Sequence, residues 1–350
     1  MAGSTGAADM SEPLLEVRDL SVSFRTEDGL VQAVDGVSFT VMPGEVLGIV
    51  GESGSGKSVS MMTVMRLIND PNARYEGQVL YKGRDLMTLT KEQMQEVRGA
   101  EIAMIFQDPM TSLNPVYTVG WQIQEQLSAH EKLTGANARR RAIDLLAAVG
   151  IPQPQLRIDD YPHQFSGGMR QRVMIAMALS CNPDLLIADE PTTALDVTIQ
   201  AQILELLKRL KADFGSAVVL ITHDMGVVAE IADTINVMYA GEIVERGSKR
   251  EVFANPQHPY TWGLLGSIPR LDRPKPRRLV AIKGQPPSMV NPPAGCRFAP
   301  RCAHRFEACS THPTLEPRAG GEHLDRCWLS VEERGARRAA AIDPALSEPA

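Results

Sequence analysis

Apolar and polar residues alternate along the first part of the chain. The stretches LLEVRDLSVSF, from Leu14, and VQAVDGVSFTV, from Val31, flank the polar link RTEDG, and in both the apolar residues recur at about every second position. A period of two is typical of strands with one buried face. We therefore predict antiparallel strands between Leu14 and about Val41.

Three later segments, EVLGIV, DLLIAD and AVVLIT, are almost wholly apolar and predict buried strands. The segment TIQAQILELLKRLKADF, between the last two, has the apolar spacing of a helix, and helical patterns also fill the stretch from about 116 to 180. Buried strands that alternate with helices predict an α/β core, here with a helical subdomain over 116–180. INVMYAGEIVERG then predicts a hairpin that turns at Ala240 and Gly241.

The two ends of the chain follow a different pattern. Residues 1–12 are small and acidic, which predicts disorder, and residues 13–250 hold the periodic segments. Prolines become frequent beyond Glu251, so we predict a small Pro/Cys-rich unit over 251–330 and a flexible tail over 331–350. The predicted fold class is α/β, with an antiparallel β subdomain, a helical subdomain and this C-terminal unit.

The composition disfavours several classes of protein. Of the 350 residues 43% are hydrophobic, which is enough for a full core, and the formal net charge is −6. An acidic balance argues against a nucleic-acid-binding protein, which normally presents a basic surface. The sequence has no apolar run of about 18 residues, and its N-terminus lacks a basic start and an apolar stretch. We therefore expect neither a membrane span nor a signal peptide, and we expect the chain in the cytoplasm.

A glycine-rich stretch, GESGSGKS, follows the first buried strand and leads into SVSMMTVMRLI, a predicted helix. Its spacing is that of a phosphate-binding loop, whose backbone N–H groups wrap a phosphate while the helix N-terminus adds partial positive charge. A merely flexible glycine loop is the alternative. Lys57 would reach the β- and γ-phosphates, and Ser58 would bind Mg²⁺. The candidate ATP-binding residues are Gly51, Glu52, Ser53, Gly54, Ser55, Gly56, Lys57 and Ser58.

An acidic pair ends the second buried strand. DLLIADE brings Asp189 to the end of the strand, where a carboxylate can hold the waters of Mg²⁺, and places Glu190 beside it. Such a pair can also be the N-terminal cap of a helix. Beside a phosphate-binding loop, it indicates nucleotide hydrolysis.

A second glycine turn begins another predicted helix. QFSGGMRQRVMIAMALS places Ser166, Gly167 and Gly168 at the helix start, which offers a further anion-binding N-terminus. The alternative is an ordinary helix start with a serine cap.

The order of these motifs resembles that of an ABC-transporter nucleotide-binding domain. It runs from the phosphate-binding loop through FQDP, SGG and LLIADEPTTALD to VVLITHD, over residues 14 to about 250. The resemblance implies that Gln107 senses Mg²⁺ and the membrane partner. It also implies that Glu190 is the general base for the attacking water and that His223 is the switch histidine at the γ-phosphate.

The same resemblance assigns roles to further residues. Phe24 falls where such ATPases place an aromatic ring against adenine, although it can also be a core residue of its strand. Asp196 resembles the residue that links the two halves of an ATPase pair. The signature LSGGQ reads FSGGM here, so Met169 lacks the glutamine amide. Family members bind ATP between the phosphate-binding loop of one subunit and the SGG helix of the other, which implies a second ATPase.

Other stretches resemble the peptide/nickel importer family. FQDPMTSLNPVYTVGWQI, NPQHPYTWGLL and GQPPSM are similar to its dipeptide or oligopeptide import ATPases, in the subunit described as the D component. The resemblance implies a heterodimer with an F-type paralogue, two integral membrane permease subunits and an extracytoplasmic peptide-binding protein acting indirectly. It places the chain at the cytoplasmic face of the membrane, with no nucleic-acid partner.

Residues Met110–Tyr117 are the candidates for contact with the permeases' coupling helices, or they pack the helical subdomain. Three alternatives to peptide import stay open. The same machine could import nickel or another solute. The chain could also be a soluble ABC ATPase of DNA repair or translation, or a regulatory module without activity.

Four of the five cysteines lie close together near the C-terminus. They are Cys296, Cys302, Cys309 and Cys327. Their Pro-rich segment has little capacity for an apolar core, so we expect it to need a crosslink or a bound metal for stability. Unpaired buried thiols are one alternative, and disulfides are rare in the cytosol. Structural zinc usually uses closer cysteine pairs, although His304, His312 and His323 are near enough to substitute. Resembling importer ATPases include members with a 4Fe–4S cluster here, so we favour a structural cluster over zinc.

Overall fold

The computed structural model describes residues 12–108, 112–193, 196–268, 282–318 and 321–342. The predicted disorder at the N-terminus, apart from Glu12, and two predicted coupling residues, Met110 and Thr111, lie outside the described residues. Within these ranges, no helix is both long and apolar enough to cross a membrane.

Two β-sheets and a set of helices make up the fold. The strands are β1 (Leu15–Thr26), β2 (Gly29–Val41), β3 (Val46–Val50), β4 (Ala73–Tyr81), β5 (Arg84–Asp85), β6 (Ile102–Ile105), β7 (Leu185–Asp189), β8 (Ala217–Thr222), β9 (Thr234–Tyr239), β10 (Glu242–Ser248) and β11 (Leu324–Asp325). The α-helices are α1 (Lys57–Val64), α2 (Lys91–Val97), α3 (Val119–Glu131), α4 (Gly135–Ala148), α5 (Pro154–Arg157), α6 (Gly167–Ala178), α7 (Val197–Phe214), α8 (Met225–Ile231), α9 (Lys249–Ala254), α10 (Pro259–Gly266) and α11 (Val331–Ile342).

The first sheet is antiparallel, with the strand order β2-β1-β4-β5. β1 and β2 are the predicted antiparallel strands, and Leu15 lies opposite Val41. Their inward residues share a core with Leu47 and Ile49 of β3. The sequence analysis did not predict β4, because its first six residues lie outside the buried core and show no apolar alternation.

The second sheet has the order β11-β10-β9-β3-β8-β7-β6. Its strands from β9 to β6 run parallel, and β10 and β11 complete one side in antiparallel pairing. The three predicted buried strands, β3, β7 and β8, are buried at every residue. The carboxyl ends of parallel strands meet at one edge of a sheet. This edge therefore collects the loops that carry Lys57, Glu190 and His223.

The predicted helical subdomain is confirmed by α3 to α6. Helices α3, α4 and α6 pack together, and α6 also contacts β6. Ile123 and Leu127 of α3 are fully buried in their shared core, as are Ala142 and Leu146 of α4. The subdomain is thus joined to the parallel sheet through α6.

The C-terminal region does not form the separate unit that we predicted. β11 pairs with β10, and so extends the main sheet, with Glu245 opposite Asp325. Tyr260 and Phe298 are buried in the same core as the parallel strands. The Pro-rich segment has few apolar residues, and it packs onto the core of the parallel sheet.

The predicted flexible tail over 331–350 is wrong for its first part. Residues Val331–Ile342 form α11, and its Arg334 side chain is 1% exposed. Arg334 donates two hydrogen bonds to the Asp325 carboxylate, at 2.9 and 3.0 Å. This buried ion pair holds the helix, and the prediction missed it because the segment GARRAAAI reads as polar and small. Residues 343–350 lie outside the described residues.

Candidate nucleotide-binding site

The glycine-rich loop joins β3 to α1, as predicted. Gly54 and Gly56 have φ angles of +77° and +99°, which other residues rarely adopt. A Cβ atom on Gly56 would lie 2.4 Å from the carbonyl oxygen of Ala33. The loop therefore requires glycine where it approaches other backbone closely, as loops that wrap a phosphate do.

The Lys57 ammonium lies inside this loop. It donates hydrogen bonds to the carbonyl oxygens of Gly51 at 2.8 Å and Glu52 at 2.9 Å. Burial lowers the pKa of Lys57, and the nearby carboxylates of Glu190 and Asp189 act in the opposite direction. A buried cation among carbonyl oxygens is suited to bind phosphate oxygens.

Ser58 and Asp189 meet, as the sequence predicted. The Ser58 hydroxyl donates to Asp189 Oδ1 at 2.9 Å. Burial raises the pKa of Asp189, and the hydrogen bond from Ser58 partly opposes that shift. Hydroxyl and carboxylate oxygens are ligands that Mg²⁺ prefers. The pair therefore fits a magnesium site.

Glu190 lies at the centre of a group of polar side chains. Its carboxylate accepts hydrogen bonds from Gln107 Nε2 at 2.9 Å and Thr193 Oγ1 at 2.8 Å, and His223 Nδ1 lies 3.3 Å away. Three predicted residues, Gln107, Glu190 and His223, are thus brought together. In this structure Gln107 contacts Glu190 and makes no hydrogen bond to the described Ser58 or Asp189 side chains. The sequence analysis missed Thr193, although it lies in the motif PTTALD.

The SGG turn and Asp196 lie at the starts of helices. Ser166 Oγ accepts a hydrogen bond from the backbone N–H of Met169 at 3.4 Å and so caps α6. Asp196 Oδ1 accepts a hydrogen bond from the backbone N–H of Ile199 at 2.9 Å and so caps α7. A Cβ atom on Gly168 would lie 3.0 Å from Ile199. Within the described part of the chain, the SGG turn thus lies against α7 and not against the phosphate-binding loop.

Phe24 lies in β1, and the contacts described above for Lys57 do not include it. Its ring is partly buried and packs against the core of the antiparallel sheet. Its predicted contact with adenine stays a prediction.

Two residues of the C-terminal region contact the phosphate-binding loop, and the sequence analysis missed both. Arg301 donates to both carboxylate oxygens of Glu52, at 2.6 and 3.0 Å. The backbone N–H of Glu52 donates a hydrogen bond to the Tyr260 hydroxyl at 2.8 Å. No local pattern could have revealed these contacts, because Arg301 and Glu52 are 249 positions apart.

The four clustered cysteines line one narrow cavity, which we call the cysteine cavity. Its walls are His258, Pro259, Cys296, Phe298, Ala299, Cys302, His304, Phe306, Cys309, Cys327, Trp328 and Leu329. A backbone N–H group points at one of the sulfur atoms. The backbone nitrogen of His304 lies 3.4 Å from Cys302 Sγ.

The cysteines of the described residues are free thiols. Burial raises the pKa of Cys302 to about 11 and that of Cys327 to about 12, so both thiols are neutral near pH 7 in the metal-free chain. Among the described residues, no group of three or more His, Cys, Asp or Glu side chains is arranged to hold a metal ion.

Two of the three histidines that we considered as zinc ligands point elsewhere. His312 Nε2 lies 2.8 Å from Glu242 Oε1, and His323 Nε2 lies 2.7 Å from Glu245 Oε1. Only His304, of these three, lines the cysteine cavity. The expectation that His312 or His323 substitutes for a cysteine is therefore wrong.

Two family patterns match the chain. Residues 34–193 match the ABC transporter family, and residues 244–309 match the family described as "Oligopeptide/dipeptide transporter, C-terminal region". The first match includes the phosphate-binding loop. It also includes Glu190 and two of its three polar neighbours, Gln107 and Thr193. The second includes Arg301 and three of the clustered cysteines.

Curated relatives are similar over most of the chain. The oligopeptide transport ATP-binding protein OppD of Bacillus subtilis is 54% identical over 90% of this chain and 88% of its own length. The dipeptide transport ATP-binding protein DppD of Bacillus subtilis is 52% identical over 91% and 95%. The OppD protein of Salmonella typhimurium is 50% identical over 94% and 98%.

Solved structures share the fold. The dimeric post-hydrolysis structure of the ATP-binding cassette MJ0796, bound to ADP and Pi, has a TM-score of 0.61 and 28% identity, and it covers 67% of this chain and 99% of that one. The cbiO1 protein of Clostridium perfringens, part of the ABC transporter complex cbiONQ, has a TM-score of 0.59 and 28% identity over 70% and 92%. This chain belongs to the ATP-hydrolysing subunits of ABC transporters, in the group that carries the oligopeptide/dipeptide transporter C-terminal region.

Proposed function

We propose that this chain is the subunit that hydrolyses ATP to power the import of dipeptides or oligopeptides. The observation that carries the proposal is the Glu190 group at the carboxyl edge of the parallel sheet, with Lys57 in the adjacent loop. This arrangement occurs in a chain that is similar over nine tenths of its length to peptide transport ATP-binding proteins. None of the relatives described above is named for nickel, DNA repair or translation.

The residues of the group divide the work of hydrolysis. Glu190 takes a proton from the attacking water, which as general base catalysis accelerates a reaction by about 10²- to 10⁴-fold. Gln107, Thr193 and His223 hold the Glu190 carboxylate in place. Lys57 stabilises the phosphate oxygens. Ser58 and Asp189 would hold Mg²⁺, which would supply positive charge that neutralises the phosphates.

The proposal includes a second ATPase subunit. The SGG turn of this chain would face the ATP held by the partner's loop, and Asp196 would lie at the contact between the two. The partner is proposed to be an F-type paralogue, and the pair would bind two membrane permease subunits at the cytoplasmic face. Val116 and Tyr117, which are 69% and 41% exposed, are the described candidates for the permease contact.

Two variants test the ATPase assignment in the full chain. Lys57→Ala should abolish binding of a fluorescent ATP analogue, because the loop loses its buried cation. Glu190→Gln should bind ATP but hydrolyse it at least about 100-fold more slowly, and should associate with the partner ATPase when ATP is present. Lys82→Ala is the control, because Lys82 forms an exposed ion pair with Asp184. Normal turnover in either Lys57→Ala or Glu190→Gln would contradict the assignment.

We also propose that the cysteine cavity holds a structural 4Fe–4S cluster. Four thiols face one cavity, and a backbone N–H group points at Cys302 Sγ, as N–H groups do where thiolates bind iron. Single zinc ions draw four ligands to within about 2.3 Å of one atom. Structural zinc also usually uses closely spaced cysteine pairs, which this chain lacks, so the spacing of the cysteines in the sequence favours the cluster over zinc.

Iron analysis tests the cluster. Protein purified without oxygen should be brown and contain about four irons per chain. Cys302→Ser should lose the colour and most of the iron. Cys181→Ser should keep both, because Cys181 does not line the cysteine cavity. A colourless anaerobic sample with one zinc per chain would refute the cluster.

A further inference from the structure

The phosphate-binding loop contains a carboxylate. Glu52 lies in a loop that binds a polyanion, so its charge opposes ATP binding unless a cation neutralises it. Arg301 pairs with it in two-pronged geometry, at 2.6 and 3.0 Å. The Arg301 side chain is only 4% exposed and that of Glu52 is 31% exposed. The arginine side of the pair is therefore shielded from water. Hydrogen bonds between charged groups are strong, and they are strongest when they are shielded in this way.

Arg301 is itself fixed in place. Its guanidinium donates to the carbonyl oxygens of Lys283 at 3.0 Å and Ile282 at 3.3 Å, and lies 5.7 Å from the centre of the Tyr239 ring. Hydrogen bonding to Glu52 raises the pKa of Arg301 above its usual value. The arginine is thus a permanent, preorganised cation at the edge of the loop.

A second arginine of the C-terminal region supports the same loop through a neighbouring turn. Arg297 donates to the Ala240 carbonyl oxygen at 2.5 Å and also pairs with Asp35. The next residue, Gly241, donates its N–H to the carbonyl oxygen of Ser55 in the phosphate-binding loop, at 3.0 Å. The C-terminal region therefore contacts this loop at Glu52 directly and at Ser55 through the β9–β10 turn.

Both arginines are neighbours of cysteines that line the cysteine cavity. Arg297 follows Cys296, and Arg301 precedes Cys302. The short segment between them is held by turn hydrogen bonds, including Ala299 N–H to Cys296 O at 3.0 Å. Packing at the cavity thus fixes the backbone from which both arginines project.

We propose that Arg301 is a positioning residue of the ATP site, which neutralises Glu52 and holds the phosphate-binding loop in its ATP-binding shape. The C-terminal region thereby sets the affinity of the chain for ATP. Without Arg301, the Glu52 carboxylate would repel the phosphates and leave the loop free to move. The inference rests on the proposed ATPase function, because it concerns the same site.

A double-mutant cycle in the full chain tests the pairing. Arg301→Ala should raise the dissociation constant of a fluorescent ATP analogue by about tenfold, because a charged hydrogen-bonded pair is lost. Glu52→Gln should have a small effect, and the double variant Glu52→Gln/Arg301→Ala should bind more tightly than Arg301→Ala alone. A purely structural arginine would show no such rescue. In turnover assays the KM for ATP should rise, and kcat should change less than about threefold.

Two further variants complete the design. Arg139→Ala removes a similar two-pronged pair with Asp159 in the helical subdomain, and it should leave ATP affinity unchanged. If Arg301→Ala does not fold, Arg301→Lys carries the test, because lysine keeps the charge but loses the second hydrogen bond. It should bind ATP about threefold more weakly than the unmodified chain.

The outcomes separate the two proposals. ATP affinity unchanged in both Arg301 variants, or a double variant as weak as Arg301→Ala, would overturn the positioning role and leave the ATPase assignment intact. An unmodified chain that neither binds nor hydrolyses ATP would overturn the ATPase assignment, and the positioning role with it.

Discussion

Glu190 lies in a backbone conformation that residues with side chains rarely adopt. Its φ angle is +46°, and such a conformation costs about 1–3 kcal/mol and persists only where its surroundings impose it. Here they do, because its N–H donates to the Ile221 carbonyl oxygen at 2.9 Å and its carboxylate has the partners already described. This conformation points the carboxylate into the site, and strained conformations of this kind are common at active sites.

At the same scale, Gly56→Ala should disable the phosphate-binding loop. A new Cβ atom would meet the Ala33 carbonyl oxygen, and a positive φ angle adds about 1–2 kcal/mol. We expect the free energy of unfolding to fall by at least about 2 kcal/mol and ATP binding to be lost. Gly83→Ala is the matched control, since Gly83 has a φ angle of +75° with open space around it. It should lose about 1 kcal/mol and bind ATP normally. Unchanged ATP affinity in Gly56→Ala would contradict the prediction.

At the scale of elements, the C-terminal helix is held by charge and apolar packing together. α11 contributes Arg334 to a buried pair with Asp325, and its Ala341 and Ile342 pack against Trp262, which is fully buried. A helix of alanines and arginines has little apolar surface of its own. The ion pair therefore decides where the helix docks.

Arg334→Ala should detach α11 from the C-terminal region. Removing one partner of a buried ion pair typically costs about 3–5 kcal/mol, because the other charge stays buried. Urea denaturation followed by tryptophan fluorescence should show this loss. Arg337→Ala, one turn away in an exposed pair with Glu333, should cost less than about 0.5 kcal/mol. Equal stability losses in the two variants would contradict the assigned role of the buried pair.

At the scale of the whole molecule, the SGG turn lies apart from the phosphate-binding loop among the described residues. The phosphate-binding loop and the Glu190 group lie at the edge of the sheet, and the SGG turn lies against α7. The related cassette MJ0796 has been solved as a dimer with ADP and Pi. The second ATPase subunit that we propose would supply the facing SGG turn.

Without the proposed F-type partner, the isolated chain should hydrolyse ATP slowly, and its activity per molecule should rise with protein concentration as copies of the chain pair weakly with one another. Mixing Lys57→Ala with Ser166→Arg should restore part of the activity that each variant lacks, because one intact site forms from the loop of one and the SGG turn of the other. Mixing Lys57→Ala with Glu190→Gln is the control and should restore none, since neither chain has a working loop and base together. High activity that is independent of concentration would refute the paired site.

Patterns confined to short stretches could be read directly from the sequence. The buried strands, the glycine loop, the acidic pair at Asp189 and Glu190 and the helical subdomain all follow from local periodicity and spacing, because local backbone geometry sets those patterns. The β9–β10 turn was predicted for the same reason, and Ala240 and Gly241 do adopt positive φ angles. These features were enough to predict the fold class and most of the candidate ATP site.

Contacts between distant parts of the chain were decided by the tertiary structure alone. Arg301 reaches Glu52 across 249 positions, and the strand pairing of β11 with β10 makes the C-terminal region part of the main sheet. α11 is held in place by Asp325, which lies outside the helix, so the sequence of the helix alone gives no sign of this contact. Such contacts depend on how the whole chain closes into one core, so no pattern in a short window records them.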